Sequence, residues 1–309
     1  KINFYSSKNF NKICELNISE FNSNNSKYTT LNRSVLINFL KKDLEDLIKT
    51  GYNISKINQK GQNIKLSFEN NETVECDILI ISDGVFSKSK SLLSNNKIKP
   101  RYNNTLAIRG TLTQVPDYID KKNVSLFLGA NFHHVIYPIN TNGDLNFIAI
   151  MKYKLSTEEL KNYSLFNDNY FIKKVLDKIP LNDKELLNKI QKLNIFPIFI
   201  SDNFYRLQNN NIHLIGDAFF AFPPSFAQGA SQSIESAYEL FKSIKNNTES
   251  NFFKKREKKT KMINIRSKFN QFAFHLSNPL ITFVRNIFLK RLVKNKKFLE
   301  SYLGKIYKN

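Results

Sequence analysis

Apolar and polar residues alternate with a period of two over residues 52–81. ISKINQ, a KGQ turn, NIKLSFE, an NNE turn and TVECDILIIS predict three strands. The third becomes almost wholly apolar after Asp77, as a strand covered on both faces does. Upstream the period changes. In YTTLNRSVLINFLKKDLEDLIK (28–49) a short extended stretch leads into a helix with Val35, Leu36, Phe39, Leu40, Leu44, Leu47 and Ile48 on one stripe, stopped by Gly51. Residues 104–152 form a separate antiparallel block of NTLAIRGTLTQ, VSLFLGANFHHVIYPIN and LNFIAIMK, joined by Pro/Asp and Asn-Gly turns. Segment 155–194 reads as two helices, STEELKNY and NDNYFIKKVLDKI, followed by LNDKELLNKIQKL. A short strand, Ile212–Ile215, precedes a helix from about 228 to 243 and a charged helix over 251–271. The tail carries Leu280, Phe283, Val284, Ile287, Phe288 and Leu292 on a stripe that reads most simply as a core-packing face.

Composition narrows the class. A chain of 309 residues with 41% hydrophobic content can bury a large core in one or two domains. Cys14 and Cys76 offer neither a disulfide framework nor a metal cluster, so no metal is expected and a reducing cytoplasm fits. No run of 18 apolar residues occurs, and KINFYSSKNF lacks the apolar core of a secretory signal. It also lacks an initiator Met, so a fragment of a longer protein is expected. The net charge of +21 could serve nucleic acid or an anionic membrane. Lys and Asn are scattered through nearly every polar segment, however, with no RNP-like strand, zinc finger or basic zipper, and no nucleic-acid partner is expected. The basic amphipathic tail could touch a membrane surface peripherally.

The most informative segment is IHLIGDAFFAFPPSFAQGASQSIESA, residues 212–237. A strand stops at Gly216-Asp217, where a carboxylate can accept hydrogen bonds from ligand hydroxyls. Pro223 and Pro224 stiffen the loop. Gln228-Gly229 then opens a helix whose free N–H groups and dipole favour negative charge. Gly229 also lets a ligand approach the backbone closely.

This segment resembles the second flavin signature of the class A FAD-dependent aromatic monooxygenases, the group of para-hydroxybenzoate and salicylate hydroxylases, read as GDAAHxxxPxxGQGxNxxxEDA. Two departures occur: Ala218-Phe219-Phe220 replaces Ala-Ala-His, and Ala227 replaces the first Gly of Gly-Gln-Gly. A more apolar pocket wall at Phe220 is expected. Asp77, Asp83, Gly84 and Ser87 match the family's cDxxxgaDGxxSxxR motif, with Lys90 in place of Arg and its bidentate fork lost. Asn32, Arg33, Leu36 and Leu40 match xNRxxLxxxL, and FLGANFHHVIYPIN resembles the glxxxHxxxYP run of salicylate-hydroxylase-like members.

The resemblance implies an α/β fold in which a Rossmann-like FAD/NAD(P)-binding domain carries an antiparallel-sheet substrate domain and C-terminal helices. The expected boundaries are 1–99 for a partial FAD-binding domain, 100–205 for the substrate sheet, 206–250 for the C-terminal FAD-binding part and 251–309 for the C-terminal helices. No GxGxxG run occurs, so the first phosphate cradle is expected to lie outside this chain. Implied cofactor contacts are Arg33, Asp83, Gly84, Asp217, Gln228, Gly229 and Ala230. Implied substrate- or flavin-face residues are His134, Tyr137 and Pro223, with Arg109 a candidate for binding a carboxylate or phenolate. Alternation leaves open whether His133 or His134 faces the site. The implied activity is hydroxylation of an aromatic or other electron-rich apolar small molecule with NAD(P)H and O2, through a flavin C4a-hydroperoxide. A reductase or halogenase on the same fold, or a catalytically incomplete fragment, is the alternative.

Overall fold

A computed structural model describes residues 1–23, 27–95, 97–179, 184–207 and 211–307. The strands are β1 (Ile2–Ser6), β2 (Lys12–Leu16), β3 (Ile54–Lys60), β4 (Asn63–Phe68), β5 (Thr73–Cys76), β6 (Leu79–Ile81), β7 (Arg101–Leu112), β8 (Val124–Gly129), β9 (Phe132–Pro138), β10 (Leu145–Lys152), β11 (Ile190–Ile200) and β12 (Ile212–Leu214). The helices include α1 (Arg33–Lys41), α2 (Lys88–Leu93), α3 (Thr157–Lys161), α4 (Asn169–Leu176), α5 (Lys184–Asn188), α6 (Gly216–Phe219), α7 (Gly229–Lys245), α8 (Glu249–Phe274) and α9 (Pro279–Leu292). The chain folds as two compact units: 1–42 with 104–197 and 272–309, and 43–103 with 198–271.

The first unit is built on a seven-stranded sheet of order β11-β7-β10-β9-β8-β1-β2. The antiparallel block over 104–152 forms as its alternation requires, and the N-terminal strands extend it, with β1 parallel to β8. Register sorts the side chains, because directly paired residues share a face. Phe127, His134, Ile136, Phe147, Ala149 and Ile108 line one fully buried face. Val135, Tyr137, Asn146, Ile148, Arg109 and Thr111 line the other, and none of these six is buried. Gly110 lets β11 approach β7: an added Cβ would sit 2.1 Å from Ile190 Cγ2 and 2.9 Å from the Gln191 carbonyl. Residues 190–194 begin β11. Pro197 fits there because β11 is an edge strand and needs no donor on its open side.

The expected helix over 33–49 ends early. After α1, Lys42 has ψ 133° and Asp43 adopts φ 65°, so the apolar stripe from Val35 to Ile48 stays largely exposed. The tail is also different: α9 has no buried residue, so its stripe is not a core-packing face within this chain.

In the second unit β3, β4 and β5 form an antiparallel meander, while β6 pairs in parallel with β12. The run 73–82 therefore breaks at Asp77–Ile78 into two strands of different sheets, and β6 leaves Ile80 exposed rather than covered on both faces. Asn211 joins the two sheets. Its backbone accepts from Leu79 N (2.9 Å), and its amide donates to the carbonyls of Gln62 (2.7 Å) and Asp77 (2.9 Å). Above them Ile64, Leu66, Ile81, Ile212, Leu214, Ala218, Phe219 and Phe220 form the core.

Helices α7 and α8 are locked by a buried cation. Arg256, its side chain 3% exposed, donates at 3.0 Å to both Glu235 and Glu239 and also to Gln232. Lys255 meets Glu239 at 3.1 Å, and Lys259 meets Glu235. Burial alone would raise the Glu239 pKa, but Arg256 and Lys255 outweigh it and hold the group below its ordinary 4.5. A lowered acid pKa contributes stability that is full above the unfolded value and fades as pH falls through the folded one. Arg256→Met should cost roughly 3 kcal/mol at neutral pH, because two nearly buried carboxylates lose their shared partner. Urea melts of the variant should show this, together with a weaker loss of stability below pH 4.5 than in the parent.

Candidate functional site

Sequence-distant motifs meet in the second unit. Asp83 accepts from Ser89 N at 3.0 Å and Ser87 Oγ accepts from Lys90 N at 2.9 Å, so two residues of the DG turn cap α2. Gly84, at φ +82°, makes the turn possible. Capping carries Lys90 into the interior, where it is 4% exposed and its Nζ donates to the Ala218 carbonyl at 2.9 Å. Burial lowers the Lys90 pKa, while the charges of Asp83 and Asp217 pull it back up. Asp217 itself remains accessible at the start of α6. Crowding around its carboxyl raises its pKa, and Lys90 opposes that rise. Nothing in the sequence marks Lys90 as buried, since lysine is among the residues least often found inside.

The glycines of the 212–237 segment have separate causes. Gly216 has φ +57°, its N–H donates to Ser236 Oγ at 3.2 Å, and an added Cβ would come within 2.9 Å of Ser233 Oγ. It is therefore required for seating α6 on α7. Gly229 is different: a Cβ there would meet nothing within 4 Å. It opens the 17-residue α7, whose first turn has no side-chain cap, and Gly229, Ala230 and Ser231 are exposed. Gln228 is buried and accepts from the Gln232 side chain at 3.3 Å. Ala227 takes up the left-handed conformation (φ 51°, ψ 35°) that Gly would fill without strain.

The remaining expected positions have different surroundings. Pro223 is buried just before a 3-10 turn at Pro224–Phe226. Phe220 stacks on Phe204 at 4.3 Å inside the core and is not an open pocket wall, because it packs with the apolar cluster around Ile81 and Leu214. In the first unit His134 is fully buried, stacked on Phe127 at 4.4 Å and flanked by Phe147, with neither ring nitrogen hydrogen-bonded. Its ring does not reach the half-open face. His133 points the other way, with Nδ1 2.8 Å from His275 Nε2, and is buried as well. Tyr137 and Arg109 share the half-open face. Burial pushes the Tyr137 phenol up, against the pull of the Arg109 charge. The Arg109 guanidinium lies 5.6 Å from the Phe196 ring centre. Arg33 is exposed at the first position of α1.

The chain belongs to the family described as FAD binding domain, whose model matches residues 43–249. It is similar to HpxO of Klebsiella pneumoniae complexed with FAD and uric acid, with TM-score 0.81 and 14% identity over 98% of this chain and 80% of that one. It is also similar to a salicylate hydroxylase substrate complex, with TM-score 0.73 and 17% identity over 100% of this chain and 79% of the other. At such identity the likeness is one of fold. Among curated relatives, the chloroplastic zeaxanthin epoxidase of an Oncidium hybrid cultivar is 25% identical over 63% of this chain and 29% of its own length. Salicylate hydroxylase of Pseudomonas putida is 23% identical over 63% of this chain and 49% of its own. The chain thus spans less than half the length of these two relatives.

The residues present fit FAD: an exposed, uncapped helix start with free space at Gly229 lies in the same unit as an accessible carboxylate. Two variants probe the surroundings. Ala227→Gly should raise stability by about 0.5 kcal/mol, read from thermal melts, as the left-handed strain exceeds the entropy that Gly loses. Burial depresses the His134 pKa from 6.5 to about 3. A depressed folded pKa means that stability is full above 6.5 and falls as pH drops toward the folded value. His134→Leu should remove that penalty, worth about 2 kcal/mol by pH ~5, leaving the variant more acid-resistant in pH-dependent urea melts.

Proposed function

We propose that the protein is an FAD-dependent monooxygenase that hydroxylates an aromatic or otherwise electron-rich, largely apolar small molecule, with NAD(P)H and O2 as co-substrates. The reading rests on the exposed, uncapped first turn of α7, which lies inside the family match together with Asp217. Asp217 would accept hydrogen bonds from the ribitol hydroxyls. The N–H groups of Gly229 and Ala230 would face the pyrimidine edge, where the positive end of α7 stabilises negative charge. Gln228, buried and bonded to Gln232, would hold that turn in place. Asp83 and Gly84 would lie toward the pyrophosphate. The charge of Lys90 opposes the rise that burial imposes on the Asp217 pKa, which favours the ionised carboxylate there. When bound, FAD supplies the electron transfer and oxygen activation that no side chain can.

The protein's own part is orientation and exclusion of water. Pro223, with its fixed φ, would keep the loop beside the reacting ring rigid. On the half-open sheet face Arg109 would take a carboxylate or phenolate and Tyr137 would hydrogen-bond to the same substrate. Val135 and Ile148, on that face with them, would supply apolar contact. His134 has a packing role in this reading. The small molecules bound by similar structures, uric acid in one complex and a salicylate hydroxylase's substrate in another, support an aromatic small molecule. The zeaxanthin epoxidases support tolerance of a more apolar one.

Purified protein given FAD should show bound-flavin absorbance, and Asp217→Ala should weaken FAD binding at least tenfold, in line with a lost charged hydrogen bond of about 1.5–3 kcal/mol. Substrate should stimulate NAD(P)H oxidation and yield a product carrying one added oxygen. A product reduced or halogenated without oxygen insertion would overturn the proposal.

A further inference from the structure

Helix α9 is packed inside out. Asn278 caps it, accepting from Leu280 N and Ile281 N, and Pro279 starts it. Its partly covered side carries Thr282, Arg285, Asn286 and Leu289. Arg285 is drawn in far enough to donate to the Ala273 carbonyl at 3.1 Å, and burial pulls its pKa down to about 10. The outward side is apolar, with Leu280 78%, Phe283 66% and Phe288 57% exposed and Ile281, Val284 and Ile287 beside them. A helix facing water alone puts its polar stripe outward, so this arrangement points to an apolar partner.

The charge pattern identifies that partner's chemistry. The helix ends in Lys290 and Arg291, followed by Lys294, Lys296 and Lys297, all exposed. No Asp or Glu occurs from Lys258 to Leu299. An apolar face flanked by unopposed cations suits a bilayer interface, where the rings enter the acyl boundary and the ammonium groups meet anionic headgroups. No helix among the described residues is long and apolar enough to cross a membrane, so the contact would lie at its surface.

We propose that α9 is a membrane-surface anchor that docks the protein on anionic lipid through Leu280, Phe283, Val284, Ile287 and Phe288, with Lys290, Arg291 and Lys294 on the headgroups. Such docking would present a lipid-dissolved apolar molecule to the protein. The test is co-sedimentation of the full chain with vesicles of phosphatidylcholine alone or of equal parts phosphatidylcholine and phosphatidylglycerol. Binding should be confined to the anionic vesicles and weaken with added salt. Phe283→Ser with Phe288→Ser, and separately Lys290→Glu with Arg291→Glu and Lys294→Glu, should each reduce binding at least about tenfold, with unchanged thermal melts. Failure of the parent protein to bind anionic vesicles would overturn the proposal, as would binding that neither variant changes. A parent that ignores vesicles but forms a dimer lost in the serine variant would assign the face to a second copy of the chain instead.

Discussion

A charged lysine side chain inside a protein is tolerable only where opposite charge and hydrogen bonds replace its water, and Lys90 sets that condition for the second unit. Its ammonium rests on the Ala218 carbonyl and lies in the field of Asp83 and Asp217. These groups come from the turn after β6 and from the start of α6, which are separated by more than half the first unit's sequence. The capping bonds of α2 fix where the lysine enters, and the tight seating of Gly216 on α7 fixes where the carbonyl waits. The accessible carboxylate and the free helix start at Gly229 inherit their positions from this arrangement. An arginine in the same place would need room for a planar fork and a second acceptor. The shorter, point-like lysine head instead makes one strong contact and leaves Asp217 accessible.

Much of this was legible in the residues. Alternation located β3 to β5 and the block from β7 to β10, since a half-buried sheet imposes its period of two on the side chains. The Gly-Asp and Asp-Gly turns located the two halves of the candidate site. What the chain did not disclose was set by tertiary packing. TVECDILIIS reads as one strand, yet Asn211 pins its middle and divides it between two sheets. The stripe from Val35 to Ile48 has helical spacing, but Asp43 leaves the helix region and no core lies beneath. His134 carried a polar label and an attractive motif, while pairing register alone puts it among phenylalanines.

The two faces of the large sheet show how one strand can serve stability and recognition together. On β9, even-numbered positions build a dry core and odd-numbered ones leave Val135 and Tyr137 partly open. A shift of register by one residue would exchange the faces, turning Val135 and Tyr137 into the core and His134 out of it. The close contact at Gly110 and the pairing of β9 with both β8 and β10 make that shift costly, so the chemistry offered by the open face is protected by packing on the closed one.

The parallel pairing of β6 with β12 has a kinetic consequence. Leu79 meets Ile212 across 133 residues of chain, and no short hairpin leads up to that contact. Closing so long a loop costs conformational entropy before the core around Ile81 and Leu214 repays it. During synthesis the meander of β3 to β5 can form early, but the unit that carries Asp217 cannot close until the chain has emerged well past residue 212. The strands of the first unit between them are made in that interval. The order in which the ribosome delivers these segments therefore places closure of the second unit after the central strands of the first have been made.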